Sequence, residues 1–113
     1  MQRNTKSLFE TEETKIINIK HGDLYDVYIG RPSIWGNPFS HKLGTAAKFK
    51  VDSIEEAILK YREYVLSSQH LMEKLESLKG KTLGCWCMPK NPEFGKLYCH
   101  GQVLIELIDE FCS

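Results

Sequence analysis

Hydrophobic residues recur near the start of the chain in patterns that predict two short strands followed by a loop. Thr14–Lys20 is rich in β-branched residues, and Leu24–Ile29 repeats this character after the turn signal His21-Gly22-Asp23. Gly-Asp between two such segments favours a hairpin. Residues 30–39 contain two prolines and two glycines, which excludes a regular element and predicts a loop.

Apolar residues at helical spacing predict three helices in the rest of the chain. Ser53 and Glu56 form a capping-box pattern ahead of an apolar face that ends at Val65. A second helix is predicted over Gln69–Lys79, because leucines and a methionine recur there at the same spacing. A third helix is predicted to begin at Gly101.

The remaining segments complete the predicted fold. Lys81–Cys87 has the character of a short strand, and Met88–Tyr98 of a loop. The order β-β-loop-α-α-β-loop-α predicts a small single α/β domain over residues 14–113, a mixed sheet with about three helices packed against it. Residues 1–13 are polar and without periodicity, so we expect a flexible N-terminal arm.

Composition and charge exclude several classes of partner. The 113 residues are enough for one hydrophobic core. Fifteen basic residues balance fifteen acidic ones, so no overall field attracts a nucleic-acid polymer or an anionic membrane. No stretch approaches the roughly 18 apolar residues of a membrane span. The first residues lack the apolar run of a secretory signal, so the four cysteines are expected to be thiols, thiolates or metal ligands in the cytoplasm.

Two loop clusters, Arg31–Phe39 and Cys85–Gly101, carry the residues that suggest function. Both follow the carboxyl end of a predicted strand, and ligands of open α/β sheets bind in the crevice outside those ends. If the two strands are parallel neighbours, the loops face each other across one crevice. The second cluster leads into a helix, whose N-terminal amides favour anions.

The residue types in these loops suit a phosphorylated, nucleotide-like small molecule. Arg31 offers a planar fork for phosphate, although it could instead form a structural ion pair. Trp35 and Phe39 could stack on a base or could plug the core beneath the loop. Gly101 would let a ligand approach the backbone closely. The candidate ligand-binding residues are Arg31, Ser33, Trp35, Gly36, Asn37, Phe39, Cys87 and Gly101.

The cysteines allow three interpretations. Zinc could be held by Cys85, Cys87, Cys99 and His100, since three thiolates and an imidazole are a known tetrahedral set, although this is not the spacing of a standard zinc finger. Alternatively, Cys99 or Cys87 is a catalytic nucleophile with His100, or else His41, as its base. In the third interpretation Cys85 and Cys87 are small buried hydrophobes and His100 caps the final helix or binds a ligand.

These residues also resemble a known family. The matching segments are Val27-Tyr28-Ile29-Gly30-Arg31-Pro32-Ser33, Trp35-Gly36-Asn37-Pro38-Phe39, Glu55-Glu56-Ala57-Ile58 with Tyr61-Arg62, Leu78-Lys79-Gly80-Lys81, Gly84-Cys85-Trp86-Cys87 and Cys99-His100-Gly101. Together they are similar to a family catalogued as a domain of unknown function, number 4326, over about residues 24–111. Family members occur in bacteria and are frequent in bacteriophage genomes, so the resemblance favours a viral origin.

The resemblance also implies which residues form one site. They are Arg31, Ser33, Gly36, Asn37, Cys85, Cys87, Cys99 and His100. This chain departs from the family in Met88–Tyr98, which is longer than the short Pro-containing link that usually precedes Cys-His-Gly. A longer loop could form a lid over a ligand instead of fixing a metal geometry.

The sequence therefore predicts a small-ligand-binding protein for a phosphorylated, nucleotide-derived molecule. In a phage it would act in the host cytoplasm, sequestering or degrading a signal of host defence. Two alternatives stay open. One is a cysteine- or zinc-dependent hydrolase or transferase acting on a nucleotide-like substrate, with Cys99 and His100 catalytic. The other is a zinc-stabilised protein-interaction module. A small domain that exposes a pocket of this kind could also form a homo-oligomer to complete it.

Overall fold

The computed structural model describes residues 14–40, 49–89, 91–93 and 95–112. The predicted arm, residues 1–13, and His41 therefore lie outside the described residues. The elements are β1 (Lys15–Asn18), β2 (Val27–Tyr28), β3 (Phe39–Ser40), β4 (Phe49–Lys50), α1 (Ile54–Leu66), α2 (Gln69–Lys74), β5 (Thr82–Cys85) and α3 (His100–Phe111). The predicted α/β class with about three helices is confirmed.

The main sheet has the strand order β1-β5-β2, and both pairs are parallel. The hairpin predicted for β1 and β2 is wrong, because each strand pairs with β5 and neither pairs with the other. A 3-10 turn, Ile19–His21, follows β1 and ends at Gly22, whose φ of 86° lies in the left-handed region that suits glycine. Asp26 then joins the chain to β5 through hydrogen bonds with the Thr82 backbone.

Ser53 is confirmed as the N-cap of α1, although the Glu56 carboxylate accepts from the Asp52 amide and does not close the predicted capping box, and the predicted ends of the other helices shift. The Ser53 hydroxyl accepts a hydrogen bond from the Glu56 amide at 3.0 Å, which satisfies a free donor of the first turn. The helix predicted over Gln69–Lys79 is α-helical only to Lys74 and continues as a 3-10 helix over Leu75–Leu78. The third helix begins one residue earlier than predicted, at His100.

The core lies between the main sheet and the helices. Its fully buried side chains come from the strands, α1, the 3-10 helix and α3; the largest are Tyr61, Ile29, Leu75, Leu78, Leu83, Leu104 and Leu107. Burying this apolar area is the main term that stabilises the fold. None of the described helices has the length and apolar character that crossing a membrane requires. A separate pair, β3 and β4, is also parallel.

Candidate functional site

The two loop clusters meet at one edge of the main sheet, as the sequence predicts for parallel neighbours. β2 and β5 run side by side, with Tyr28 opposite Gly84, so the segments that follow them leave the sheet together. Between these segments lies a cleft with a volume of about 890 Å³. Its walls are Tyr28, Gly30, Arg31, Asn37, Phe39, Ser40, Ile54, Glu55, Ala57, Ile58, Trp86, Cys87, Lys96, Leu97, Tyr98, Cys99 and His100.

Arg31 lies in this cleft on a tightly turned loop. Its Nη1 donates to the Asn37 carbonyl at 3.2 Å, and within the described part of the chain no carboxylate pairs with it. A Cβ on Gly36 would lie 2.9 Å from Arg31 Cγ and 3.0 Å from Arg31 Cα, so only glycine lets the chain fold back this closely. The guanidinium therefore keeps most of its donors available to a ligand.

Asn37 fastens the same loop to α1. Its Oδ1 accepts from the Phe39 amide at 2.9 Å, and its Nδ2 donates to the Ala57 carbonyl at 3.1 Å. Phe39 in turn stacks on Phe49, with ring centroids 5.2 Å apart. Asn37 therefore lines the cleft, but its main role is to hold the loop against α1. Phe39 contributes an apolar side chain to the wall of the cleft.

The most exposed aromatic side chain of the cleft is Trp86, which the sequence-based site did not include. The indole is 56% exposed. Its Nε1 donates to the Tyr28 hydroxyl at 3.1 Å, and that hydroxyl donates to the Arg31 carbonyl at 3.0 Å. These two bonds hold the indole by its edge beside Arg31. The signal for it was present, because period-two alternation places Trp86 on the opposite face of the chain from Cys85.

The loop that precedes α3 supplies a second cation. Lys96 and Tyr98 line the cleft, and the Lys96 ammonium lies 5.4 Å from the centre of the Tyr98 ring. The Tyr98 hydroxyl accepts from the Glu93 amide at 3.2 Å. Both residues were part of the predicted loop, but neither was singled out as a site residue. The role of this loop as a lid stays a prediction.

Four predicted ligand-binding residues, Ser33, Trp35, Gly36 and Gly101, do not line the cleft. Trp35 is 4% exposed and belongs to the core, so the plug interpretation describes it. Ser33 lies in the turn beneath Arg31, and its Oγ is buried without a hydrogen-bond partner among the described residues. A Cβ on Gly101 would lie 2.8 Å from Ile29 Cδ1, so this glycine allows α3 to pack closely against the side chain that follows β2.

Three thiols cluster at the base of the cleft. Cys85 and Cys99 are buried and Cys87 is exposed. The neighbouring Cys99 thiol lowers the pKa of Cys87 to about 7, and the Arg31 charge acts in the same direction. The pKa of Cys99 shifts in the opposite direction. It is raised by the interactions of this thiol with Cys85 and Cys87, and burial acts in the same direction. Cys87 is therefore the thiol that best combines access with thiolate character.

His100 is buried and neutral beside this cluster. Its Nε2 lies 2.6 Å from the Ile29 carbonyl. Because a carbonyl can only accept, Nε2 carries the proton and Nδ1 keeps a lone pair. Nδ1 lies 4.0 Å from Cys99 Sγ. Burial, together with a smaller contribution from the Arg31 charge, lowers the pKa of His100 to about 4, so the ring is uncharged at neutral pH.

The residues predicted to be catalytic or to bind metal are thus neighbours, but the pKa values of Cys99 and His100 differ from those expected of a nucleophile and its base. Cys99 caps α3, accepting from the Gly101 amide at 3.3 Å, and its raised pKa makes it a poor nucleophile. Across the described ranges, no three or more Cys, His, Asp or Glu side chains are grouped as a metal-binding set. A zinc site at Cys85, Cys87, Cys99 and His100 stays a prediction.

Comparison with known proteins identifies relatives in two viruses. The family model described as Domain of unknown function (DUF4326) matches residues 17–110. The chain is 41% identical over 93 residues to "Uncharacterized protein R718" of Acanthamoeba polyphaga mimivirus, covering 73% of this chain and 65% of that protein. It is 28% identical over 95 residues to "Uncharacterized 12.4 kDa protein in nrdA-td intergenic region" of Enterobacteria phage T4, covering 84% and 77%. No solved structure matches the chain.

Proposed function

The chain belongs to the family described as Domain of unknown function (DUF4326), and we propose that it binds a phosphorylated, nucleotide-derived small molecule in the cleft between its two loops. The observation that carries this proposal is the placement of Arg31 next to Trp86 in one cleft of about 890 Å³. A fork of N–H donors beside an exposed indole suits a ligand with a phosphate at one end and a planar ring at the other.

The phosphate end of the ligand would lie on Arg31 and Lys96. Arg31 has no carboxylate partner in the described part of the chain, so a phosphate would not have to displace one. Bidentate guanidinium–phosphate hydrogen bonds are among the strongest polar contacts in proteins. Glu55 also lines the cleft and offers an acceptor for a ribose hydroxyl or an amino group of the base.

The ring end of the ligand would lie against Trp86. The indole is already held at its edge by Tyr28, so little rotamer entropy is lost when a base stacks on its face. Stacking on an aromatic side chain is tolerant of base identity. This arrangement supports a nucleotide as ligand class without selecting one base.

The relatives place the family in viral genomes, which supports a role in the infected host. A small protein that binds a nucleotide could sequester a signal of host defence. Cys87 favours a second candidate, in which the same ligand is degraded. It is exposed at the cleft and its pKa is lowered to about 7 by the Cys99 thiol, so a thiolate would be available for attack.

The test uses the two tryptophans, which differ in exposure. The wild-type chain is titrated with AMP, GMP, CMP and UMP, each against its nucleoside, while tryptophan fluorescence is recorded. We expect saturable quenching by at least one nucleotide. Trp86→Phe should abolish the signal, since Trp35 is buried in the core, and calorimetry on that variant should show weakened binding. Fluorescence unchanged by every nucleotide, with no heat of binding, would overturn the proposal.

A further inference from the structure

One buried polar side chain outside the cleft holds the backbone that carries Trp86. Asn18, the last residue of β1, is 8% exposed and does not line the cleft. Its Nδ2 donates to the Trp86 carbonyl at 3.2 Å and to the Met88 carbonyl at 2.8 Å. Its Oδ1 accepts from the Lys20 amide at 2.9 Å. Both N–H donors of this side chain are therefore used to bind the chain that follows β5.

These hydrogen bonds lie beyond the end of the sheet. Asn18 is opposite Cys85 at the last paired position of β1 and β5. After Asn18 the backbone leaves the strand in the 3-10 turn Ile19–His21, and β5 ends at Cys85. The side-chain amide of Asn18 thus supplies donors where the backbone of β1 no longer does. The segment Trp86–Met88 is held to β1 by this one side chain.

Trp86 is consequently attached to both strands that flank β5. Asn18 of β1 binds its carbonyl, and the Tyr28 hydroxyl of β2 accepts from its Nε1 at 3.1 Å. The first bond fixes the backbone of Trp86, and the second fixes the edge of the ring. Because the indole is 56% exposed, packing against the core contributes less to its orientation than it does for a buried ring. The two polar attachments therefore set the direction of the indole face.

We propose that Asn18 is a positioning residue for ligand binding: it holds the Trp86 and Met88 carbonyls so that the indole is ready to stack on a planar ring, and it does not touch the ligand itself. The role in binding rests on the proposed function, whereas the effect on the indole needs no ligand. A surface that is ordered in advance binds more tightly, because no ordering cost is added on binding. Without the Asn18 donors, affinity should fall roughly threefold to tenfold, the range that one lost hydrogen bond produces.

The experiment observes the two tryptophans separately. The full chain is labelled with fluorotryptophan, and the fluorine NMR resonance of Trp86 is assigned by its disappearance in Trp86→Phe. Asn18→Asp keeps the size of the side chain and an acceptor for the Lys20 amide, but an ionised aspartate has no donor. Without ligand, we expect this variant to shift or broaden the Trp86 resonance and to leave that of Trp35, in the core, unchanged. Titration with the nucleoside monophosphate that the wild type binds best should then show the loss of affinity.

Asn91→Asp is the matched control, because Asn91 is exposed and does not line the cleft; it should leave both resonances and the affinity unchanged. If Asn18→Asp does not fold, hydrogen exchange in the wild type decides, since the Asn18 side-chain amide should exchange more slowly than that of Asn91.

Equal exchange rates for the two amides would overturn the proposal. So would a folded Asn18→Asp chain in which the Trp86 resonance is unchanged, both tryptophan resonances move together, or the nucleotide affinity is that of the wild type. A wild type that binds no nucleotide would overturn the proposed function and the binding role of Asn18 with it. The ligand-free resonances would then still show whether Asn18 holds Trp86, which separates the two failures.

Discussion

The Tyr61 hydroxyl donates a 2.7 Å hydrogen bond to the backbone carbonyl of Trp35. The two residues are 0% and 4% exposed, and they are separated by 26 positions in the sequence. The bond therefore joins the loop that carries Arg31 to the middle of α1 in a buried region. Burial also raises the pKa of Tyr61 far above its usual value, so the hydroxyl keeps its proton and remains a donor at neutral pH.

Replacing Tyr61 with phenylalanine should destabilise the protein while leaving the shape of the core unchanged. The Trp35 carbonyl would lose its partner in a buried position, and an unsatisfied buried group costs about 1–3 kcal/mol. The free energy of unfolding from urea denaturation measures this. Tyr64→Phe is the matched control, because Tyr64 is 38% exposed and its removal leaves no buried polar group without a partner. Equal stabilities for the two variants would contradict the prediction.

The meeting of the two loop clusters at one cleft could be predicted from the sequence because it depends on strand direction alone. Two loops that follow parallel neighbouring strands must meet at one edge, and the pairing of β2 with β5 meets that condition. The pairing of β1 was harder to predict. A Gly-Asp turn is compatible with a hairpin, but β5 buries more apolar surface by lying between β1 and β2 than it would at an edge, and that gain depends on residues far apart in sequence.

Which tryptophan is exposed at the cleft could not be predicted from local pattern. Trp35 and Trp86 both lie near glycines in segments that end a strand. Trp35 is buried because α1 packs across it and Tyr61 binds its carbonyl, a contact that no local window contains. Trp86 stays exposed because the pleat of β5 points Cys85 inward. Arg31 and Cys87, the guanidinium and the exposed thiol of the cleft, could be recognised from residue type alone.

Replacing Gly36 with alanine should disturb the loop that positions Arg31. The new Cβ would lie 2.9–3.1 Å from the Cγ, Cα and N atoms of Arg31, two of which are backbone and cannot move alone. Crowding of this kind typically costs about 1–3 kcal/mol. Urea denaturation of Gly36→Ala and Ser33→Ala compares the two effects. Ser33 Oγ is buried without a partner in the described residues, so its removal should cost nothing or stabilise the loop slightly.

His100 should make the protein less stable as the pH falls below 6.5. Burial holds its pKa at about 4 in the folded chain, against an ordinary value of 6.5 for histidine. Between these values the unfolded chain binds a proton that the folded chain does not, so the free energy of unfolding falls with decreasing pH. The slope reaches at most about 1 kcal/mol per pH unit. The contribution is complete above pH 6.5 and lost near pH 4.

Denaturation curves between pH 7 and pH 4 test this dependence by comparison of variants. His100→Gln should keep a donor for the Ile29 carbonyl and flatten the pH dependence. His70→Gln is the matched control, because His70 is exposed on α2. Carboxylates titrate in the same pH range, so the contribution of His100 is taken from the difference between the pH profiles of the wild type and of His100→Gln. Identical pH profiles for wild type and His100→Gln would contradict the neutral, buried histidine.

Replacing Arg31 with alanine should weaken binding of the phosphate group and leave binding of the rest of the ligand unchanged. Arg31→Ala removes a charged donor, and hydrogen bonds to charged groups contribute about 1.5–3 kcal/mol, which corresponds to roughly a tenfold to hundredfold loss of affinity. This loss should appear by calorimetry for the best-bound nucleoside monophosphate and not for its nucleoside, because the nucleoside lacks the group that Arg31 holds. Arg62→Ala is the matched control, since Arg62 pairs with Glu110 and Glu106 at 2.7 and 3.5 Å and does not line the cleft. If Arg31→Ala weakened the nucleoside equally, Arg31 would act by shaping the loop through the Asn37 carbonyl, and the phosphate would have to lie elsewhere in the cleft.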